Sequence, residues 1–257
     1  MRRLLCVLAL APGIVWGAIG TPVSLGTHTE AVSSGADTAV LTTSVVHTAG
    51  HEIVVLVAFR GNRNISAVTD SAGNTYTSMG SVTQGSTNST AKAQIFRSSG
   101  SAFLDSGETI TVTSSGIGTA VFAVEAVSVS GVSNATDAFG SSSGTGSDPS
   151  ASITTVAAST VTFYCISQVT TLAPTFTEDA DYTSLAGAFD ADVDGTGAGI
   201  SMSTGYRIRG SAGADTHDCD TALTVSWAEG LASLAESSSS PNRFVHLVPM
   251  TGAGLFR

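Results

Sequence analysis

The fold is decided by the stretch Ile53-Val54-Val55-Leu56-Val57-Ala58-Phe59, an uninterrupted apolar run rich in β-branched residues. A run this short, bounded by His51-Glu52 and Arg60-Gly61, is typical of a central strand that is covered on both faces. Further along, Thr109-Ile110-Thr111-Val112-Thr113 alternates polar and apolar residues, which indicates a strand with one face toward solvent. Together the two patterns predict an all-β protein.

The composition agrees with β-structure and argues against several functional classes. Only 12% of the residues are charged, and the chain has one lysine, Lys92, although helix surfaces are normally rich in Lys and Glu. Lys92 does not follow a glycine-rich loop, so the chain lacks a phosphate-binding loop of the Walker type. The net charge of −10 argues against nucleic-acid binding through a basic face.

Outward from residues 53–59 the chain reads as short apolar or alternating runs separated by Gly, Ser, Asn and Asp. One segment, Glu229–Glu236, is expected to be a short helix. The predicted strands are Ala39–Val46, Glu52–Phe59, Ser66–Thr69, Tyr76–Val82, Ala91–Arg97, Thr109–Ser114, Ala120–Ser130, Ser152–Val156, Thr160–Val169, Tyr182–Ala188, Ile200–Arg209, Ala222–Trp227 and Arg243–Met250.

The two sets of strands resemble each other in order and spacing, which predicts an internal duplication. Segments 41–43 and 53–55 match 153–155 and 161–163, segment 74–80 matches 180–187, segment 95–97 matches 206–209, and segment 110–113 matches 223–226. Two such halves predict a single jelly-roll-like β-sandwich over residues 21–257. The halves would be residues 21–139 and 150–257, joined by the Gly/Ser-rich linker 140–149.

Residues 1–20 differ from the rest of the chain. Arg2 and Arg3 precede an apolar stretch that is interrupted by Pro12 and Gly13, and it is too short for a stable membrane span. The pattern fits a cleaved secretory signal and equally an apolar arm that packs into a neighbouring subunit. As an arm, its partner-binding residues would be Leu4, Leu5, Val7, Leu8, Leu10, Ile14, Val15 and Trp16.

Two ligand questions follow from the polar residues. Asp190, Asp192 and Asp194 precede Gly195 at alternate positions, as carboxylates do at the opening of a calcium-binding loop, but Ser201 replaces the bidentate glutamate. The alternatives are a Ca²⁺ site and a solvated acidic turn. Cys165 and Cys219 lack metal-ligand spacing, and whether they form a disulfide is left open.

No catalytic constellation is predicted. Gly140-Ser141-Ser142-Ser143-Gly144 matches a nucleophile-elbow pattern, but it lies in a β-rich chain without the required strand-turn-helix context. Trp227 and the repeated Tyr76 and Tyr182 fit core positions better than exposed platforms for sugars. The sequence therefore favours a non-enzymatic protein, with glycan binding kept as an alternative.

The stretch Val68-Thr69-Asp70-Ser71-Ala72-Gly73-Asn74-Thr75-Tyr76 resembles a recurrent signature of β-sandwich domains in bacteriophage virion proteins and bacterial surface proteins. The Gly-Asn pair suits a tight hairpin. The resemblance extends over residues 18–250, through 124–132 and 203–208, and does not cover the N-terminal segment. It implies a structural or adhesive role and brings no catalytic residue with it.

These observations predict a phage virion structural protein, such as a head decoration, spike or tail-associated subunit. Its partners would be other virion proteins or copies of itself, with no nucleic acid bound. The alternative is a secreted bacterial surface module that adheres to cells or binds a host-surface glycan. The N-terminal segment would be an arm in the first case and a cleaved signal in the second.

Overall fold

The computed structural model describes residues 18–32, 38–61, 63–84, 90–98, 101–115, 120–170, 172–190 and 199–237, with the backbone alone considered at 30–32 and 188–190. Regular structure within these ranges consists of β-strands without a helix. The strands are β1 Val23–Val32, β2 Thr38–Thr42, β3 Glu52–Arg60, β4 Asn64–Asp70, β5 Tyr76–Thr83, β6 Ala91–Ser98, β7 Thr109–Ser115, β8 Ala120–Val129, β9 Val132–Gly146, β10 Ser150–Thr155, β11 Thr160–Thr170, β12 Phe176–Glu178, β13 Thr183–Ser184, β14 Ala188–Asp190, β15 Gly199–Arg209, β16 Gly213–Thr221 and β17 Val225–Glu236.

The first half of the chain forms two antiparallel sheets. A five-stranded sheet has the order β1-β8-β3-β6-β5, and a three-stranded sheet has the order β2-β7-β4. Every residue of β3 and of β8 is buried, because both strands are central and both of their faces are covered. This confirms the prediction made from residues 53–59.

The second half repeats this arrangement. Its larger sheet has the order β9-β17-β11-β15-β13, with β14 also paired to β15, and its three-stranded sheet has the order β10-β16-β12. Strand for strand, β9 corresponds to β1, β17 to β8, β11 to β3 and β16 to β7. The two halves of the described chain therefore share one strand order.

Three hydrophobic clusters show how the four sheets are layered. The first inner cluster lies between the two sheets of the first half and includes Leu41, Val55 and Ile110. The second inner cluster lies between the sheets of the second half and includes Ile153, Tyr164 and Leu231. The central cluster joins the two large sheets face to face, with Leu56 and Ile95 on one side and Phe163 and Leu234 on the other. The layers therefore run small sheet, large sheet, large sheet, small sheet.

This layering corrects the expectation of a single two-sheet sandwich. Each half has its own pair of sheets and its own inner cluster. The sequence hid this because one face of each large sheet serves the inner cluster and the other face serves the central cluster, so apolar residues occur on both faces.

Three of the four matches between the halves pair corresponding strands, and the fourth is wrong. Residues 110–113 lie in β7, whose counterpart is β16, whereas residues 223–226 reach only the start of β17. In β16 buried residues alternate with exposed ones, as expected for a strand. The buried residues are mostly polar, namely Asp215, His217, Cys219 and Thr221, so the alternation is not one of hydrophobicity. The list of predicted strands therefore omits this segment.

Two other segments differ from their predicted structures. Glu229–Glu236 is not a helix: it belongs to β17, which pairs with β11 on one side and β9 on the other. The Gly/Ser stretch 140–149 is not a linker, because residues 140–146 form the end of β9. Small residues are needed there, since a Cβ on Gly140 would overlap the carbonyl of Ser152, and one on Gly144 would meet the ring of Trp227. The strand predicted at Arg243–Met250 lies outside the described residues.

Candidate functional site

The inner faces of β11, β16 and β17 in the second half are more polar than those of the corresponding strands β3, β7 and β8 in the first. The first inner cluster is built of aliphatic and aromatic residues on β3, β7 and β8. The corresponding strands β11, β16 and β17 instead bury Tyr164, His217 and Glu229, together with Thr162 and Gln168. Buried polar groups cost free energy unless they are partnered, so this asymmetry between duplicated halves marks the most unusual site in the described chain.

His217 lies at the centre of this site, between two carboxylates. Its Nδ1 is 2.5 Å from Oε1 of Glu229, and its Nε2 is 2.8 Å from Oε2 of Glu178. Glu178 also accepts a hydrogen bond from the hydroxyl of Ser203. The imidazole thus connects β16 to β17 and to the three-residue strand β12.

Two tyrosines enclose the imidazole. The ring of Tyr164 stacks on His217 with 3.8 Å between centroids, and the ring of Tyr182 meets it edge-on at 4.7 Å. Both rings are buried, so water is kept from the face of the imidazole. A charged imidazole gains here from the electron-rich face of Tyr164 as well as from the carboxylates.

The protonation of the three groups follows from their surroundings. Burial by itself lowers the pKa of His217, but the hydrogen bonds that its ring donates to Glu178 and Glu229 outweigh burial and raise that pKa to about 9. For Glu178, burial is outweighed by the bonds from His217 and Ser203, so its pKa lies below the usual value. Burial raises the pKa of Glu229 despite His217. At neutral pH the site therefore holds an imidazolium paired with the Glu178 carboxylate.

Beside this site lies a small open cleft of about 230 Å³. Its lining residues are Thr177, Glu178, Asp179, Asp218, Cys219 and Asp220. Glu178 is the residue shared by the cleft and the His217 cluster, and Glu229 lies beyond His217 with no exposed surface. A proton can pass between Glu178 and His217, but Glu229 cannot touch a ligand in the cleft. The arrangement is therefore better suited to holding β12 in place than to acid-base chemistry on a substrate.

A second buried carboxylate joins the two halves. Glu125, in the middle of β8, accepts hydrogen bonds from the backbone amides of Ala186 and Gly187 at 3.2 and 3.1 Å. It also accepts from the hydroxyls of Thr204 and, at 2.8 Å, Ser24. Three of these four donors belong to the second half, so Glu125 fixes that half against the first.

A third polar group closes the end of the first half. The Nδ1 atom of His47 is 2.9 Å from the hydroxyl of Ser128, and His51 approaches the same hydroxyl at 3.4 Å. Burial lowers the pKa of His47 to about 4, the neighbouring His51 acts in the same direction, and Asp70 opposes both. His47 is therefore neutral at physiological pH.

The stretch that carries the family resemblance forms a corner between sheets. Asp70 accepts hydrogen bonds from the amide and side chain of Asn74, at 2.9 and 2.7 Å, and from the Tyr76 hydroxyl at 2.7 Å. Gly73 has a φ of +78°, which favours glycine. The turn is not a hairpin, because β4 and β5 belong to different sheets. Its polar residues serve the corner itself.

The predicted site residues have mixed outcomes. Asp192 and Asp194 lie outside the described residues, and Asp190 is described by its backbone in β14, so the calcium site stays a prediction. The eight apolar residues predicted in the arm, Leu4, Leu5, Val7, Leu8, Leu10, Ile14, Val15 and Trp16, also lie outside the described ranges.

Cys165 and Cys219 are free thiols and do not form a disulfide. Cys165 packs in the central cluster and Cys219 in the second inner cluster, so the large sheet of the second half lies between them. Burial raises the pKa of both thiols, which makes them poor nucleophiles.

The sequence reading missed the His217 cluster. Glu178, His217 and Glu229 come from three strands, and none of the three residues lies in a predicted strand. The alternation of buried and exposed residues in β16 was the available signal, and it places His217 on an inward face between Asp215 and Cys219.

Within the described ranges, no helix is long and apolar enough to cross a membrane. In the same part of the chain, no three His, Cys, Asp or Glu side chains are placed to hold a metal ion together. No family model, curated protein or solved structure matches this chain.

Proposed function

We propose that the protein is a non-enzymatic structural subunit of a bacteriophage virion, a head decoration, spike or tail-associated protein. It acts through contacts with other virion proteins or with copies of itself. The observation that carries the proposal is the use of its buried charged groups to hold strands and halves together.

Those groups each have a mechanical task. His217 with Glu178 and Glu229 ties β12 into the second half, Glu125 ties the halves together, and Asp70 fixes a corner between sheets. Buried ion pairs seldom add stability over apolar packing but do specify one arrangement. A subunit that must present a fixed surface to its neighbours benefits from such specificity.

The strand order supports the same proposal. Within each half, the first strand pairs with the last, and the second pairs with the one before the last. We infer that each half is a jelly roll, a fold used in viral capsid and lectin domains. The first half departs from the usual jelly-roll strand order at one point, because β5 pairs with β6 rather than with β4. The chain is then two jelly rolls packed back to back.

The surface chemistry fits a particle exposed outside cells. Lys92 is buried, with its Nζ on the carbonyl of Arg63, and Arg63 is itself buried. The net charge of −10 favours solubility and repels nucleic acid. In this proposal the apolar residues 4–16 attach the subunit to its neighbour in the virion.

The test is deletion of residues 2–17 in the native source. We expect the shortened protein to fold, with an unchanged melting temperature of the described region, and to be absent from purified particles. Normal incorporation of the shortened protein would refute the arm. The protein without the deletion supplies the second outcome. If it is recovered only as a free species in the medium that begins near Thr21, the virion role is refuted and the secreted surface module is favoured.

A further inference from the structure

Four exposed apolar side chains lie at one end of the first half. They are Val23, Val45, Val46 and Phe103, here called the end patch, and Phe103 is 50% exposed. The other large exposed apolar residues in the described chain, Val40, Val156, Leu172 and Ile208, are on other strands and loops. A group of this kind on an otherwise polar surface indicates a contact site.

Backbone contacts bring the patch together. The amide of Ser44 donates to the carbonyl of Leu25 at 2.7 Å. On the other side, His47 lies against Ser128, which pairs with Val23, so residues 46–47 lie near the start of β1. His47 and Leu104 form an antiparallel bridge with two backbone bonds. Val46 precedes His47 and Phe103 precedes Leu104, so the two side chains are diagonal neighbours across the bridge. Both side chains point away from the buried side chains of His47 and Leu104.

Residues 18–20, which follow the N-terminal segment, lie near this patch but on the other face of the sheet. The amide of Gly20 donates to the carbonyl of Ser130 at 3.1 Å, and Ile19 packs against the central cluster. Val23 pairs with Ser128, whose side chain faces His47 on the opposite side of the same sheet. The patch therefore lies within about 10 Å along the chain from Gly20, with the sheet between them.

The composition of the segment before Ala18 is complementary to this patch. Leu4–Trp16 is almost entirely apolar, and Arg2 and Arg3 precede it. The loop after Phe103 carries the carboxylates of Asp105 and Glu108. An apolar segment preceded by two arginines thus matches an apolar patch bordered by two acidic residues.

We propose that the end patch receives the segment Leu4–Trp16 of a neighbouring copy of this chain. This rests on the proposed function and names the surface to which its arm binds. Gly20 and the patch lie on opposite faces of the sheet, which favours an arm from a second copy over the chain's own arm. Each copy then gives one arm and receives one. Such head-to-tail contacts close into a ring or extend as a filament.

Disulfide trapping tests the proposal, because the arm contains Cys6 whereas Cys165 and Cys219 are buried. Phe103→Cys and Val46→Cys, made separately in the full-length protein and oxidised, should give dimers and higher covalent species on a non-reducing gel. Those species should disappear when Cys6→Ser is added. Leu172→Cys, equally exposed on the second half, is the matched control and should stay monomeric. A disulfide within single chains, or equal trapping by Leu172→Cys, would overturn the proposal.

Charge substitution supplies a readout independent of cysteine. Phe103→Asp should convert the full-length oligomer to a monomer by light scattering, as deletion of residues 2–17 does, whereas Leu172→Asp should leave it intact. All three should melt like the wild type, since surface changes rarely exceed about 0.5 kcal/mol. If the deletion abolishes assembly but Phe103→Asp does not, the arm binds elsewhere: the proposed function stands and the end patch is wrong.

Discussion

At the scale of single residues, the two buried histidines differ in charge at neutral pH because their neighbours differ. His47 faces a hydroxyl and another histidine, so it stays neutral. His217 faces two carboxylates and two tyrosine rings, so it stays charged. Their effects on stability therefore have opposite dependences on pH.

The two histidines should make stability fall in opposite directions of pH, below 6.5 for His47 and above 6.5 for His217. Burial lowers the pKa of His47 from 6.5 to about 4, so only the unfolded chain gains its proton as the pH falls between these values, and stability falls. The pKa of His217 is raised from 6.5 to about 9, so its contribution is complete below 6.5 and is lost as the pH rises toward 9. The lowered pKa of Glu178 adds a further loss when the pH falls below its unfolded value of 4.5.

Urea unfolding at several pH values measures this profile. The alkaline loss in the wild type should be on the order of 3 kcal/mol. His217→Gln should flatten the alkaline limb and leave the loss between pH 6.5 and 4.5, which belongs to His47, whereas His47→Asn should remove that loss and keep the alkaline limb. Equal alkaline slopes in wild type and His217→Gln would show that the imidazole is uncharged in the folded protein.

Asp70 should be the most sensitive position in the corner between β4 and β5. Asp70→Ala removes the acceptor for Asn74 and Tyr76 and should cost about 2 to 4 kcal/mol in urea unfolding. Asp148→Ala is the control, because this exposed carboxylate accepts only from Ser147 among its described bonds. A loss below about 0.5 kcal/mol for Asp70→Ala would mean that the turn does not need its carboxylate.

At the scale of elements, the sequence predicts the strands whose buried faces are apolar. β3, β5, β6, β7 and β11 were placed within a few residues, because their alternation or continuous burial is written in Val, Ile and Phe. β9 and β16 are not among the predicted strands, because neither has the apolar pattern on which the predictions rest. In β9 small residues allow close approach to β10, and in β16 the inward residues are polar.

The glycines of β9 should be intolerant of side chains. Gly140→Ala places a Cβ against the backbone of Ser152 and should cost about 1 to 3 kcal/mol, since the two strands must separate. Gly210→Ala is the matched control, because a Cβ there meets no atom within 4 Å. Denaturant unfolding of the two variants measures the difference. Equal stability would contradict the packing of β9 over β10.

At the scale of the whole molecule, the duplication was visible in the sequence but the layering was not. The matches between halves give the order of strands, whereas the choice between one sandwich and two depends on which face of β3 or β11 meets which partner. The His217 cluster was hidden for a related reason, since residues 178, 217 and 229 meet only after three strands have paired.

The two halves should unfold together, because the central cluster and Glu125 join them. In a Trp16→Phe background, Trp227 fluorescence and far-ultraviolet circular dichroism should give one coincident transition. Glu125→Ala leaves three hydrogen-bond donors of the second half without their acceptor and should lower the free energy of unfolding by about 3 kcal/mol. Glu236 is exposed, so Glu236→Ala should change the free energy of unfolding little. Two separate transitions in the wild type would contradict a shared core.

The central claim is that this chain works as a virion subunit with its N-terminal segment in place. The most direct test is the intact mass of the protein recovered from purified particles of its native source. The account predicts a particle-bound species that retains Leu4–Trp16. A species that begins near Thr21 and is found free in the medium would contradict it.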